Sequence, residues 1–116
     1  MRQDNLHEQL RLERILKSIN AIESFTKDHT LQSFSKDEKS ISACLYQYAS
    51  IGKSIDNLNM SLLEKHGISQ SIIKAFNSLA PQPLYDIEPR IIWDTTADVL
   101  PGLKKDIQKI IEIESL

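Results

Sequence analysis

The 116 residues are 41% hydrophobic and 26% charged and carry a net charge of −2, enough chain for one compact core and too little for two comfortable domains. That balance excludes a general attraction to nucleic-acid phosphates, so RNA binding is not favoured and would need a local basic patch. The single Cys44 excludes an internal disulfide and fits a reducing compartment. The polar opening "MRQDNLHEQLRLER", with no apolar run near the roughly 18 residues a membrane helix needs, excludes a spanning segment. The expectation is one cytoplasmic domain over residues 1–116, with no membrane contact, metal or cofactor.

The first predicted element runs from about Asp4 to Phe25, where Leu6, Leu10, Leu12, Ile15, Leu16, Ile19, Ile22 and Phe25 recur at helical spacing. Arg11, Glu13, Arg14 and Lys17 fall on its other faces. Across the polar stretch "TKDHTLQSFSKDEKS", Ser35 and Glu38 make a capping box, which predicts a second helix from Ser35 to about Lys65. Ile41, Cys44, Leu45, Tyr48, Ile51, Ile55, Leu58 and Leu62 form its apolar stripe, and Gly52 in its middle implies close packing of another backbone.

Gly67 suits a left-handed stop and Ser69 a new N-cap, predicting a short helix from Ser69 to Leu79. Pro81 and Pro83 then force a loop. Helix returns from Glu88, with Pro89 in its first turn, and Ile92, Trp93, Thr96, Val99, Leu100, Leu103, Ile107, Ile110 and Ile111 make the buried face. Pro101 lies inside that pattern and should kink or interrupt it. The elements add up to an all-α, up-and-down four-helix bundle whose last helix is bent.

Three stretches, "RLERILKSINAIESF", "ACLYQYASIGKSIDNL" and above all "YDIEPRIIWDTTADVLPGLKKDIQKII", make the chain resemble the HepT-like branch of the HEPN superfamily. In that family a helix with an IGE-type triplet packs on a C-terminal helix reading IDxxxxW and, further on, LPxLKxxI; the resemblance spans nearly the whole chain. It implies a homodimeric HEPN-like bundle acting as the ribonuclease toxin of a toxin–antitoxin pair. The implied partner is an MntA-like minimal nucleotidyltransferase, an antitoxin that adds AMP to a tyrosine of the toxin. The implied active site is RxxxxHxY just before the tryptophan segment. There histidine moves a proton and arginine stabilises developing phosphorane charge, without metal.

This chain departs from that motif. Counting back from Trp93 without a gap puts Asn77 at the arginine position, Gln82 at the histidine and Leu84 at the tyrosine. One deletion places Tyr85 at the tyrosine but leaves Ser78 and Pro83 for the pair. None of the four supplies a titrating base or a fixed cation. The triplet reads Ile51, Gly52, Lys53, an ammonium in place of a carboxylate. The expectation is a degenerate member with no catalytic residues: a dimeric module that binds a nucleotidyltransferase. The alternative is an active metal-independent endoribonuclease regulated by tyrosine AMPylation. Tyr85 is the candidate acceptor for AMP, unless Leu84 holds that position and Tyr85 plugs the end of the bundle.

The remaining polar and aromatic residues read more plainly. His66 and Arg90 could be imagined as a rewired catalytic pair, but a histidine before a glycine at a helix end is commonly a favourable charge at the macrodipole's negative pole. Trp93 reads as a core or dimer-seam anchor, Cys44 as a small buried hydrophobe, and at most one of Tyr46 and Tyr48 as core. Lys104, Lys105 and Lys109 are interleaved with Asp106, Glu112 and Glu114, which reads as a solvated face.

Overall fold

A computed structural model describes residues 2–58, 60–68 and 88–114. In chain order these form α1 (Arg2–Thr26), α2 (Leu31–Ser35), α3 (Glu38–Asp56), α4 (Met60–Lys65), α5 (Pro89–Asp98) and α6 (Leu100–Ile113). The protein is an all-α bundle, as the periodicity predicts. The short helix expected over Ser69–Leu79 lies outside the described residues.

The core is one continuous cluster. Leu12, Ile15, Ile19 and Ile22 of α1 meet Ile41, Cys44, Tyr48, Ile51 and Ile55 of α3 and Leu100, Leu103, Ile107 and Ile110 of α6. Each fully buried aliphatic side chain contributes about 1.5–3 kcal/mol of transfer free energy. Contacts between distant residues fix the helix directions. Ser18 touches Ser50, and a cleft joins Arg11 and Arg14 to residues 50–57, so α1 and α3 run antiparallel. Tyr48 meets Thr96 and His66 meets Glu114, a constant offset that makes the α3–α4 and α5–α6 arms parallel.

The second helix departs from the reading of the sequence in three places. Ser35 does not begin it; Ser35 is the last residue of α2 and donates its hydroxyl back to the Leu31 carbonyl at 2.7 Å. Asp37 caps α3, its carboxylate accepting the Ser40 N–H at 3.3 Å, while the capping box belongs to Thr30 and Ser33 of α2. Serine and aspartate are comparable caps, and the Asp37 carboxylate adds a favourable charge at the positive pole of α3. Asp37 is held below the usual carboxylate range, first by the Ser40 hydroxyl and then by the Ser40 amide.

Nor does the helix run unbroken to Lys65. It stops at Asp56, Asn57 caps it, and the Leu58 N–H turns back to the Ile55 carbonyl at 3.0 Å, which buries Leu58. Likewise Leu10, placed on the apolar stripe of α1 by spacing, is 46% exposed, because α1 presents Leu12, Ile15 and Ile19 to its neighbours.

Two backbone predictions hold. Gly67 has φ +71°, and its N–H donates to the Glu64 carbonyl at 3.1 Å while Ile68 N–H reaches the Leu63 carbonyl at 3.0 Å. That pair of bonds is a Schellman stop. Pro101 interrupts the last helix: α5 ends at Asp98, Val99 sits at φ −109°, and α6 restarts at Leu100. Proline cannot donate to the carbonyl one turn earlier, so the ladder lapses there. Gly52 is buried in the α3 core face.

Candidate functional site

The positions that the resemblance assigns to chemistry or its regulation, Asn77, Ser78, Gln82, Pro83 and Tyr85, lie outside the described residues. The structure does define the elements on either side of them in sequence: the end of α4 with His66–Ile68, and the start of α5 with Glu88–Trp93. The two groups considered as a rewired pair, His66 and Arg90, sit one on each side.

His66 follows the last residue of α4, and its ring is held by Glu114 at the end of α6. The Glu114 Oε2 oxygen lies 2.9 Å from His66 Nε2 and 2.8 Å from Lys65 Nζ. An ionised carboxylate can only accept, so Nε2 is the donor in this contact. Lys65 first, and His66 second, hold the Glu114 carboxyl below its ordinary range by hydrogen bonding. This group opens on a cleft of about 500 Å³ lined by Lys65, His66, Gly67, Asp106, Lys109 and Ile113.

A histidine oriented by a carboxylate is one half of an acid–base site. Here it is compromised: the His66 side chain is only 9% exposed, and Asp106 on the same cleft repels phosphate. Arg90 does not complete it. Its side chain is 72% exposed, and its Nε pairs with Asp94 one turn on, at 3.6 Å. Each member of the imagined pair is thus tied to a carboxylate of its own.

On the α5 side Trp93 is half-buried and packs on Phe34 of α2, ring centroids 5.4 Å apart and tilted by 44°. Trp93 thus packs against the core cluster, with its ring partner on a helix that the periodicity of the sequence did not reveal. Next to it, the buried Tyr48 hydroxyl bonds Thr96 Oγ1 at 2.6 Å, and burial pushes the phenol well up. Tyr46 is 71% exposed, so one tyrosine of the two is core. Cys44 is buried, and desolvation raises its thiol to about 12.

The lysines of α6 divide. Lys105 and Lys109 are solvated as expected, but Lys104 is not: its Nζ bonds Glu23 Oε1 of α1 at 2.8 Å and straps α6 to α1. A lysine and a glutamate in unrelated helices carry no pattern that marks them as partners. The same holds for His66 and Glu114, which meet across 48 residues of sequence.

The chain is 29% identical over 102 residues to "Gamma-glutamylcyclotransferase and putative RNase MJ0434" of Methanocaldococcus jannaschii, a match that covers 87% of this chain and 46% of the relative. It spans under half the length of that protein. It is 30% identical over 101 residues to "Putative RNase MJ0127" of the same organism, across 84% of this chain and 82% of the relative. A third relative, "Putative RNase TTE0752" of Caldanaerobacter subterraneus, is 26% identical over 104 residues, 89% of this chain and 93% of its own. No family model matches the chain, and no solved structure matches it significantly.

The protein is therefore an all-α bundle related over most of its length to proteins named as RNases. It belongs to the family of Putative RNase MJ0127. Among the described residues, no helix is long and apolar enough to cross a membrane.

Proposed function

We propose that this chain is a HepT-like component of a HEPN/nucleotidyltransferase toxin–antitoxin pair, acting in the cytoplasm as a homodimeric binding module without ribonuclease activity of its own. The kinship with proteins named as RNases supports the family half of this reading. One observation carries the other half. Asn77 with Gln82, or Ser78 with Pro83, stands where the resemblance needs arginine and histidine, and the substitutes on either side are each engaged elsewhere, His66 by Glu114 and Arg90 by Asp94. Without a mobile proton carrier beside a fixed cation, neither proton transfer nor charge stabilisation at phosphorus has a reagent.

A second reading, an active metal-independent endoribonuclease, has its own support: the relatives' names and the His66–Glu114 arrangement facing a cleft with Lys65 and Lys109. Incubation of purified protein with single-stranded RNA and tRNA distinguishes them. The expected result is intact RNA after hours. Cleavage that disappears in both His66→Ala and Arg90→Ala overturns the noncatalytic reading. The regulatory part is tested by mixing with the cognate nucleotidyltransferase, ATP and Mg²⁺. Co-elution as a complex is expected, and an adduct of AMP mass absent from Tyr85→Phe would place the acceptor at Tyr85. Light scattering reads the dimer, and a species near 13.3 kDa at micromolar concentration contradicts it.

A further inference from the structure

We propose that the groove between α1 and α3 is a binding site for the phosphodiester backbone of RNA, contacted without regard to base sequence. The observation is a polar seam in an otherwise apolar helix pair. On α3 and its C-cap, Ser50, Lys53, Ser54 and Asn57 stand at i, i+3, i+4 and i+7, the spacing that puts them on one face. On α1, Arg11 and Arg14 lie one turn apart on the facing side, and together the six line an open cleft of about 260 Å³.

A further hydroxyl contacts the lining residue Ser50. Ser18 is 5% exposed, the one buried polar residue among those described, and its Oγ donates to Ser50 Oγ at 3.5 Å. A serine at a position flanked by the core residues Ile15, Ile19 and Ile22 is a place where an aliphatic would normally sit.

The chemistry of the lining selects the ligand. Two guanidinium groups, an ammonium, two hydroxyls and an amide are all able to donate, and among the described residues no carboxylate lines the cleft. Glu8 is the neighbouring acid, and it pairs with Arg11 at 3.1 Å from the turn before. Arg14 and Lys53 are exposed, and among the described residues neither has an acid partner. Donor-rich, acid-free clefts with arginine suit a phosphate diester, which guanidinium grips through two parallel bonds.

Among the described residues the cleft holds no aromatic or large apolar side chain, so they offer neither the anchors of a protein interface nor a platform on which a base could stack. What remains is backbone contact. The local cation density also supplies what the bulk charge of −2 denies. The choice of RNA over another phosphate rests on the proposed membership of a ribonuclease-like system, while the phosphate chemistry stands on the cleft alone. Lys53, at the odd position of the Ile51–Gly52–Lys53 triplet, is in this reading a phosphate contact.

The test is fluorescence anisotropy with a labelled 20-residue oligouridylate, titrated at several salt concentrations against wild type, Arg14→Gln/Lys53→Gln and the control Lys27→Gln/Lys39→Gln. The control removes the same charge from exposed positions that line neither cleft. The cleft variant should lose about tenfold or more in affinity and flatten the log–log salt slope by about 1.4, two contacts at roughly 0.7 each. The control should change affinity by less than about twofold, as surface charge away from a contact does. Three results overturn the proposal: wild type that does not bind, equal losses in both variants, or AMP or inorganic phosphate competing as well as unlabelled oligomer, which would make the cleft a small-anion site. Co-elution with the nucleotidyltransferase is read separately, so loss of RNA binding with that complex intact refutes the groove and leaves the proposed function standing.

Discussion

Phe34→Ala tests the least expected part of the architecture. Phe34 has no exposed surface, although it sits on a helix of only five residues, Leu31–Ser35. Its ring meets Trp93 at 5.4 Å and the edge of His29 at 6.0 Å. Phe34 is the one buried side chain of α2, so the docking of α2 onto α3 and α5 depends on it. Truncating a fully buried phenylalanine removes its transfer free energy and leaves a cavity, together about 3–5 kcal/mol; the aromatic pair supplies roughly 0.5–1.5 kcal/mol of that contact beyond area alone. The expected loss, near 3–4 kcal/mol, is a large share of the roughly 5–15 kcal/mol that holds a domain folded.

Urea unfolding followed by circular dichroism gives the loss as a shift in midpoint. Trp93 is the only tryptophan, so its emission reports the local packing independently. Phe34→Leu should recover much of the loss, costing about 1.5 kcal/mol or less. Leu10→Ala, at a residue 46% exposed, should cost about 0.5 kcal/mol or less. A loss under about 1 kcal/mol in Phe34→Ala, or Trp93 emission identical to wild type, refutes the docking of α2 and with it the placement of Trp93 in the core.

Three further outcomes are expected. Gly67→Ala and Gly102→Ala should move stability in opposite directions, since neither added methyl meets an atom within 4 Å. At Gly67, with φ +71°, alanine pays about 1–2 kcal/mol of backbone strain, whereas inside α6 at Gly102 it gains about 0.5–1 kcal/mol; thermal melts that move the same way refute this. Glu114 is held below its ordinary value of 4.5, so its contribution is complete above that value and disappears as pH falls through the depressed folded value. Glu114→Gln should therefore destabilise at pH 7 and show a shallower acid limb, and parallel wild-type and variant curves below pH 4.5 would contradict the contact with Lys65 and His66. Cys44, buried and with its thiol raised to about 12, should react with a disulfide reagent at the rate of unfolding rather than of mixing; a burst of modification in native buffer would show the thiol exposed.

What the sequence by itself determined is whatever rests on local repetition and on single-residue backbone chemistry. The spacing of Leu12, Ile15, Ile19 and Ile22, and of Ile41, Cys44, Tyr48, Ile51 and Ile55, specifies amphipathic helices whose apolar faces must meet. Gly67 and Pro101 mark a stop and a break because one tolerates positive φ and the other lacks an N–H. The proposed loss of catalytic groups rests on the same kind of counting, which sets Asn77 with Gln82, or Ser78 with Pro83, against the positions the resemblance expects.

Tertiary structure alone decided which local option won. Ser35 and Asp37 both offer caps and lie two residues apart, and the choice between them followed from α2 closing over Phe34. Leu10 and Leu12 are equally apolar, and only the presence of α3 and α6 separates an exposed leucine from a buried one. The bond from His66 to Glu114, the strap from Lys104 to Glu23, and the facing of Arg11 and Arg14 onto Lys53 join residues far apart in sequence. Such pairings leave no periodic trace in either segment, because a charged side chain on a helix surface is compatible with solvent and with a partner alike until the neighbouring helix is in place.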